Sequence, residues 1–128
     1  MTVEMLNTPS APPALGPYSQ AVRAGDWIIL AGQLGLEPTT GVLVDGVDAQ
    51  ARQALANISS ILGDHSKTLN DVAKSLVFVT DLADFPVINA AYGEAFGDHK
   101  PARSTVQVAA LPLGGHVEIE VWVYVGHN

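Results

Sequence analysis

An arginine stands at the entrance to a predicted strand, within the stretch KPARSTVQV. Pro101 favours an extended entry, so Arg103 opens a strand that we expect to lie in the middle of the sheet. A guanidinium is permanently charged and offers a fork of donors that fits a carboxylate in bidentate fashion. Spacing alone leaves two roles open. Arg103 either clamps a ligand carboxylate or forms a buried ion pair with Glu118 or Glu120, if residues 111–115 close a hairpin between the last two strands.

Four further residues are candidates for the same site. A carboxylate such as Glu118, screened from water, has a raised pKa and can orient or activate a water, although it could instead neutralise Arg103. Gly32, at the end of the second predicted strand, would let a backbone or a ligand approach closely. Tyr18 and Asn89 also have structural interpretations, as a core aromatic with its hydroxyl near the surface and as a solvated or backbone-bonded amide.

Several chemistries lack the residues that they require. The chain has no cysteine, which excludes disulfides, thiolate nucleophiles and thiolate metal sites. It also has no G-x-S-x-G sequence and no glycine-rich loop in a nucleotide-binding context. The histidines are not at metal-ligand spacing, so we expect them to be solvated and predict no metal. These histidines are His65, His99, His116 and His127.

Composition limits the partners of this chain. Its formal net charge is −7, and its six Lys and Arg residues form no cluster, which argues against nucleic-acid binding. With 48% hydrophobic and only 15% charged residues, part of the surface is expected to be buried in an oligomer. No window approaches the roughly 18 consecutive apolar residues of a membrane-spanning helix, and the first residues do not resemble a secretory signal. We therefore expect one cytoplasmic domain over residues 1–128, without a membrane partner.

The elements that must position these residues follow from periodicity. One helix is predicted from Asp45 or Gly46 to Gly63, and a second from Asp84 as N-cap, with Pro86 in its first turn, to Gly97. Their order among the strands predicts an α+β domain with both helices on one face of a mixed sheet. Strands are predicted at residues 18–22, 27–33, 74–80, 104–110 and 117–125, a short one is possible at 42–44, and residues 1–17 are expected to run extended over the surface.

The last strand has two contrasting faces. One side is wholly apolar and is expected to press against the helices. The other side combines two carboxylates with two large aromatics, which is unusual for a solvated face. We expect this second face to meet another subunit, although a half-exposed strand with two isolated aromatics would show the same pattern. The apolar side consists of Val117, Ile119, Val121, Val123 and Val125, and the other of Glu118, Glu120, Trp122 and Tyr124.

Six segments together resemble the YjgF/RidA family: GPYSQAV, AGQLG, QARQALANI, VFVTDLADFPVINAAY, PARSTVQVAALP and VEIE. The resemblance implies a chorismate-mutase-like α+β fold, a homotrimer, and sites at the subunit interfaces. It also implies cofactor-independent hydrolysis of reactive 2-imino and enamine acids to 2-keto acids and ammonia. In this family pattern Arg103 matches the carboxylate clamp and Glu118 the glutamate near the attacking water. Tyr18 and Asn89 match pocket positions, and Gly32 matches a glycine whose backbone borders the pocket.

Two positions depart from the family pattern and bear on substrate range. Thr105, a further pocket position, stands where many deaminating members have cysteine, and Ala31 where several have serine. Three alternatives remain open at the sequence level. One is a ribonuclease or translation inhibitor, which the acidic charge disfavours. Another is a ligand-binding regulator or chaperone with the same pocket, and the third is a pathway-specific deaminase of an aminomuconate-like enamine.

Overall fold

The computed structural model describes residues 2–126, which form one mixed sheet with two helices packed on one face. This confirms the predicted α+β arrangement. No helix in this part of the chain is both long and apolar enough to cross a membrane. The strands are β1 (Glu4–Leu6), β2 (Ala21–Ala24), β3 (Trp27–Leu30), β4 (Gln33–Leu34), β5 (Val72–Val79), β6 (Ala102–Gln107) and β7 (Val117–Tyr124), and the helices are α1 (Val47–Gly63) and α2 (Phe85–Phe96).

The strand order is β1-β2-β3-β7-β5-β6, with β4 also paired to β7. Strand β6 pairs with β5 alone, in parallel, and therefore lies at the edge of the sheet. The predicted mid-sheet position of Arg103 is wrong. The hairpin between the last two strands, on which the ion-pair alternative depended, does not form. The physical reason is the crossover through α2, which returns the chain parallel to β5 and leaves the other side of β5 to β7.

The two helices form where their patterns predict. Gly46, at a φ of 93°, precedes α1, and six apolar residues of α1 are buried. Helix α2 has Pro86 in its first turn and ends at Gly97, which adopts a φ of 61°. Asp84 is at the predicted N-cap position, but its side chain makes no capping hydrogen bond. The buried apolar residues of α1 are Ala51, Ala54, Leu55, Ile58, Ile61 and Leu62.

Strand β7 is the centre of the core, as its alternation predicts. The alternate valines and isoleucine of its inner face are 0% exposed, and fully burying such a side chain contributes roughly 1.5–3 kcal/mol. The opposite face, which we call the outer face, remains partly open, with Trp122 39% and Tyr124 43% exposed. Trp27 of β3 packs edge-on against both aromatics, with ring centroids 6.4 and 5.4 Å apart. The outer face comprises Trp27, Glu118, Glu120, Trp122 and Tyr124.

The N-terminal segment is held more firmly than its composition indicates. Part of it forms β1, and Leu6 and Ala11 are buried. The buried Gln20 side chain accepts a 2.7 Å hydrogen bond from the Thr8 N–H and donates a 2.8 Å bond to the Pro12 carbonyl. Most of residues 2–17 do lie on the surface as expected, but Leu6, Thr8 and Ala11 are buried, because the Gln20 amide satisfies backbone groups of this segment.

Other strand limits differ modestly from the prediction. The first predicted strand begins at Ala21, so Tyr18 lies in the preceding loop. The second is interrupted after Leu30 and resumes at Gln33 to pair with β7. The possible strand at residues 42–44 is reduced to an isolated bridge between Leu36 and Leu43.

Candidate functional site

The register of the sheet separates the two charged candidates. Arg103 pairs with Ser75, which is buried and pairs in turn with the core residue Val121. Its side chain therefore lies on the face that carries the helices. Glu118 pairs with Phe78, which lies on the opposite face of β5 from Ser75, so Glu118 is on the outer face. The sheet therefore separates Arg103 from Glu118 and excludes a buried ion pair between them within one chain. Glu120 lies two residues from Glu118 on the same face of β7, so it is excluded as well.

Arg103 belongs to a cavity of about 440 Å³ between α2 and the edge of the sheet. The guanidinium carbon lies 4.7 Å from the ring centroid of Tyr92 and 5.4 Å from that of Phe85. In residues 2–126, no carboxylate lies within ion-pair distance of Arg103, whereas Arg52 contacts both Asp48 and Glu94. We call Asn89, Tyr92 and Arg103 the arginine half-site.

Asn89 and Thr105 flank Arg103 in different ways. Asn89 is exposed on α2 and lines the same cavity as Arg103, while its predicted role in binding a ligand stays a prediction. Thr105 lies two residues along β6 from Arg103, on the same face of the sheet, and is half-buried. It does not belong to the lining of the cavity, so its predicted contact with a ligand stays a prediction.

Glu118 belongs to a different cavity, of about 490 Å³, which it shares with Tyr18, Ala31 and Gly32. The Glu118 carboxylate rests against the backbone of Gly32, so a side chain at position 32 would displace this carboxylate. A Cβ added to Gly32 would lie 2.7 Å from the Glu118 carboxyl carbon and 2.8 Å from its Oε2, closer than real contacts allow. The sequence analysis expected a backbone or a ligand to approach Gly32, whereas in the structure the approaching group is the Glu118 side chain of the same chain. We call Tyr18, Ala31, Gly32 and Glu118 the glutamate half-site.

Tyr18 lies at the mouth of the glutamate half-site and is 58% exposed. Its interpretation as a core aromatic is therefore wrong. Two apolar side chains that the sequence analysis did not single out, Leu15 and Leu113, line the same mouth. Leu113 adopts a φ of 60°, which is uncommon for a residue with a branched side chain and marks a sharp turn before β7.

Electrostatics distinguishes Glu118 from an ordinary surface carboxylate. Burial raises the pKa of its carboxyl, and the negative charge of Glu120 on the same face raises it further. A carboxylate whose pKa is raised is a better proton acceptor than one on the open surface. It can hold a water beside Gly32 and take a proton from it.

Two histidines are less exposed than predicted. The Nε2 of His99 lies 2.7 Å from the Val72 carbonyl oxygen, and the Nε2 of His65 is shielded from solvent without a hydrogen-bond partner in the structure. Both loops pack against the ends of α2 and α1, which removes water from these rings. His116 is exposed, and His127 lies outside the described residues. Over residues 2–126, no three His, Asp or Glu side chains converge as they would around a metal ion.

The sequence analysis missed the aromatic contacts of Arg103. Phe85 was not among its candidate site residues, and neither was Tyr92. Its hydroxyl forms a 2.5 Å hydrogen bond with Ser75 Oγ on β5. A signal was present, because a tyrosine in a buried helical stripe needs a polar partner for its hydroxyl, but the partner lies 17 residues away.

Comparisons with known proteins place the chain in a family. Residues 8–125 match the family model described as Endoribonuclease L-PSP. A 2-iminobutanoate/2-iminopropanoate deaminase of Bos taurus is 46% identical over 118 residues, covering 91% of this chain and 86% of the relative. A RutC family protein of Pyrococcus horikoshii is 44% identical over 122 residues, covering 94% of this chain and 97% of the relative. The crystal structure of RidA from the Antarctic bacterium Psychrobacter sp. matches with a TM-score of 0.92 at 46% identity, covering 95% of this chain and 99% of that one.

Fold and comparisons first define a class, the α+β proteins in which two helices cover one face of a mixed sheet. Within that class, the chain belongs to the Endoribonuclease L-PSP family, also called the YjgF/RidA family. The resemblance carried by the six sequence segments is therefore confirmed.

Proposed function

We propose that this protein is a hydrolytic deaminase that converts reactive 2-imino and enamine acids to 2-keto acids and ammonia. The observation that carries the proposal is the Arg103 guanidinium, which faces a cavity without a carboxylate partner in the described chain. A permanent cation in that setting suits a ligand carboxylate. The bovine relative, which is 46% identical, is named as a 2-iminobutanoate/2-iminopropanoate deaminase and so supports the same reaction class.

We further propose that the site is completed between copies of the chain. The arginine half-site and the glutamate half-site lie on opposite faces of the sheet, so they can meet only if each copy offers one half to its neighbour. A contact between two different patches of identical chains is heterologous, and it generates a ring when the rotation between successive copies closes. The partly exposed outer-face aromatics are consistent with burial in such a ring. The number of subunits, three, comes from the family resemblance.

The proposed reaction needs few catalytic groups. Arg103 binds the substrate carboxylate and so fixes the position of the adjacent C=N carbon, which is already electrophilic. Glu118 orients a water and accepts one of its protons as the oxygen bonds to that carbon. For a substrate protonated on its imine nitrogen, the amino nitrogen of the resulting carbinolamine then receives this proton from Glu118. The C–N bond breaks, ammonia leaves, and the hydroxyl proton, which is the second proton of the water, is released. Water and imine are thus converted to a keto group and ammonia. Tyr18, Asn89 and Thr105 would line the substrate, with the backbone of Gly32 at its edge.

Hydrolysis of 2-iminobutyrate tests the proposed activity directly. The imine is generated freshly in the assay by an amino-acid oxidase, and ammonia and 2-ketobutyrate are measured with and without the protein. We expect the protein to accelerate the formation of both products, because it supplies a carboxylate clamp and an oriented water. A folded, assembled protein that binds 2-ketobutyrate but gives no acceleration would identify a ligand-binding regulator and overturn the deaminase.

Subunit mixing tests whether the site is shared. Arg103→Ala and Glu118→Gln chains, each carrying a different affinity tag, are co-expressed, and assemblies with both tags are isolated. In a ring of three chains that carries both tags, one interface of the three joins an intact Arg103 to an intact Glu118, so about a third of the wild-type activity should return.

Each variant alone serves as the control for this mixture and should remain nearly inactive. Mixed assemblies as inactive as the separate variants would show that both residues must come from one chain. That result would reject the shared site and leave the deaminase activity of the wild type unaffected.

A further inference from the structure

We infer that Phe85 and Tyr92, anchored by Ser75, form an aromatic shelf that positions Arg103 for the substrate carboxylate. The inference deepens the proposed function and rests on it. These three residues touch the arginine or its support and do not touch the reacting atoms, so they are positioning residues.

The contact geometry leaves the donors of Arg103 free. The guanidinium carbon lies 4.7 Å from the Tyr92 ring centroid and 5.4 Å from the Phe85 ring centroid, within the range of a cation–π interaction. An aromatic ring attracts the cation through its face and accepts no conventional hydrogen bond from the N–H groups. The planar fork can therefore still bind a carboxylate. Arg52 shows the contrast, because Asp48 and Glu94 occupy its donors.

The shelf is rigid because its main ring is fixed at both ends. Tyr92 is only 7% exposed, and its ring stacks on Phe96 with centroids 4.4 Å apart. Its hydroxyl bonds to Ser75 Oγ at 2.5 Å, and Ser75 is 0% exposed. Ser75 is also the residue that pairs with Arg103 across the β5–β6 ladder. The same rung of the sheet therefore holds the backbone of the arginine and the ring beneath its side chain.

An aromatic support is better suited to this role than an acidic one. A neighbouring carboxylate would hold Arg103 still but would compete with the substrate carboxylate for the same donors.

The positive charge of Arg103 acts on the hydroxyl of Tyr92, the ring that it contacts. Burial raises the pKa of its hydroxyl, and the hydrogen bond to Ser75 and the positive charge of Arg103 oppose that rise.

The test compares Phe85→Leu, which removes one face of the shelf, with Phe85→Tyr, which keeps it. Two readouts are measured: the KM and kcat for 2-iminobutyrate, and the Kd for 2-ketobutyrate by calorimetry. We expect Phe85→Leu to raise both KM and Kd by roughly 2- to 30-fold, with a smaller change in kcat. Phe85→Tyr should leave KM and Kd close to the wild-type values. Tyr92→Phe, which keeps the ring but loses the bond to Ser75, should raise them by a smaller factor. Thermal unfolding verifies that each variant is folded at the assay temperature.

The outcomes separate the shelf from the proposed function. If Phe85→Leu leaves KM and Kd unchanged while the wild type deaminates, the shelf is rejected and the activity stands. If the wild type binds 2-ketobutyrate without deaminating and Phe85→Leu weakens that binding, the shelf stands and the activity is rejected. A wild type that neither deaminates nor binds 2-ketobutyrate overturns both.

Discussion

Replacement of Arg103 by alanine is expected to cost about 2–5 kcal/mol of transition-state binding, which is the range for removing one partner of a buried charge pair. The corresponding loss in kcat/KM for 2-iminobutyrate is roughly 30- to 5,000-fold. The physical reason is that Lys100, which lines the same cavity and donates to the Gly97 carbonyl, lacks the bidentate fork that would let it replace the guanidinium. The loss should appear in the rate of ammonia release and in weaker 2-ketobutyrate binding.

Arg23→Ala is the matched control for this loss. It removes the same charge from an exposed position on β2, where the Arg23 Nε donates only to the Gly25 carbonyl, at 3.3 Å. It should leave kcat/KM within the error of the assay. Arg103→Lys adds a finer test, since it keeps the charge but loses the bidentate fork, and should fall between alanine and wild type. An Arg103→Ala variant with unchanged kcat/KM would remove the carboxylate clamp from the proposal.

Replacement of Glu118 by glutamine is expected to lower kcat by roughly 10²- to 10⁴-fold, the usual contribution of a positioned acid–base group. The amide has nearly the same shape, so it should still fit against Gly32, where the structure leaves no room for more atoms. Only the ability to accept a proton is lost. Near-normal 2-ketobutyrate binding with a reduced rate would be the expected signature.

The raised pKa of Glu118 gives this prediction a direction in pH. The ionised carboxylate is the active form, so wild-type activity should fall as pH drops through a value above the ordinary 4.5 of a glutamate. Glu120→Gln removes the neighbouring charge that helps to raise this pKa, and should shift the acid limb of the profile to lower pH. An acid limb that stays in place in Glu120→Gln would mean that another group controls the rate.

Ionisation of Glu118 should lower the free energy of unfolding, although it raises the activity. A carboxyl whose pKa is higher in the folded state opposes folding once it ionises, so its stabilising effect is present below pH 4.5 and is lost as pH rises through the folded pKa. Glu118→Gln should therefore be at least as stable as the wild type at neutral pH, as measured by thermal unfolding. A marked loss of stability would indicate that the inactivity of this variant comes from unfolding.

The sequence by itself determined the features that depend on local periodicity and local chemistry. The apolar repeat from Val47 to Gly63, the Pro86 start and the Gly97 stop specify two helices because these signals act within a few residues. The strict alternation of β7 determined which of its side chains enter the core. The six family segments likewise named Arg103, Asn89 and Glu118 as candidate site residues, but not Tyr92.

Only the tertiary structure decided how these candidates are grouped. Alternation assigns each residue to one of two faces of its own strand, but it does not say which strands are neighbours. The α2 crossover placed β6 at the sheet edge, which put Arg103 on the helical face and Glu118 on the other. The bond from Tyr92 to Ser75 and the buried contacts of Gln20 also join residues far apart in the chain. Such pairings depend on packing between whole elements, so no short stretch of this sequence could specify them.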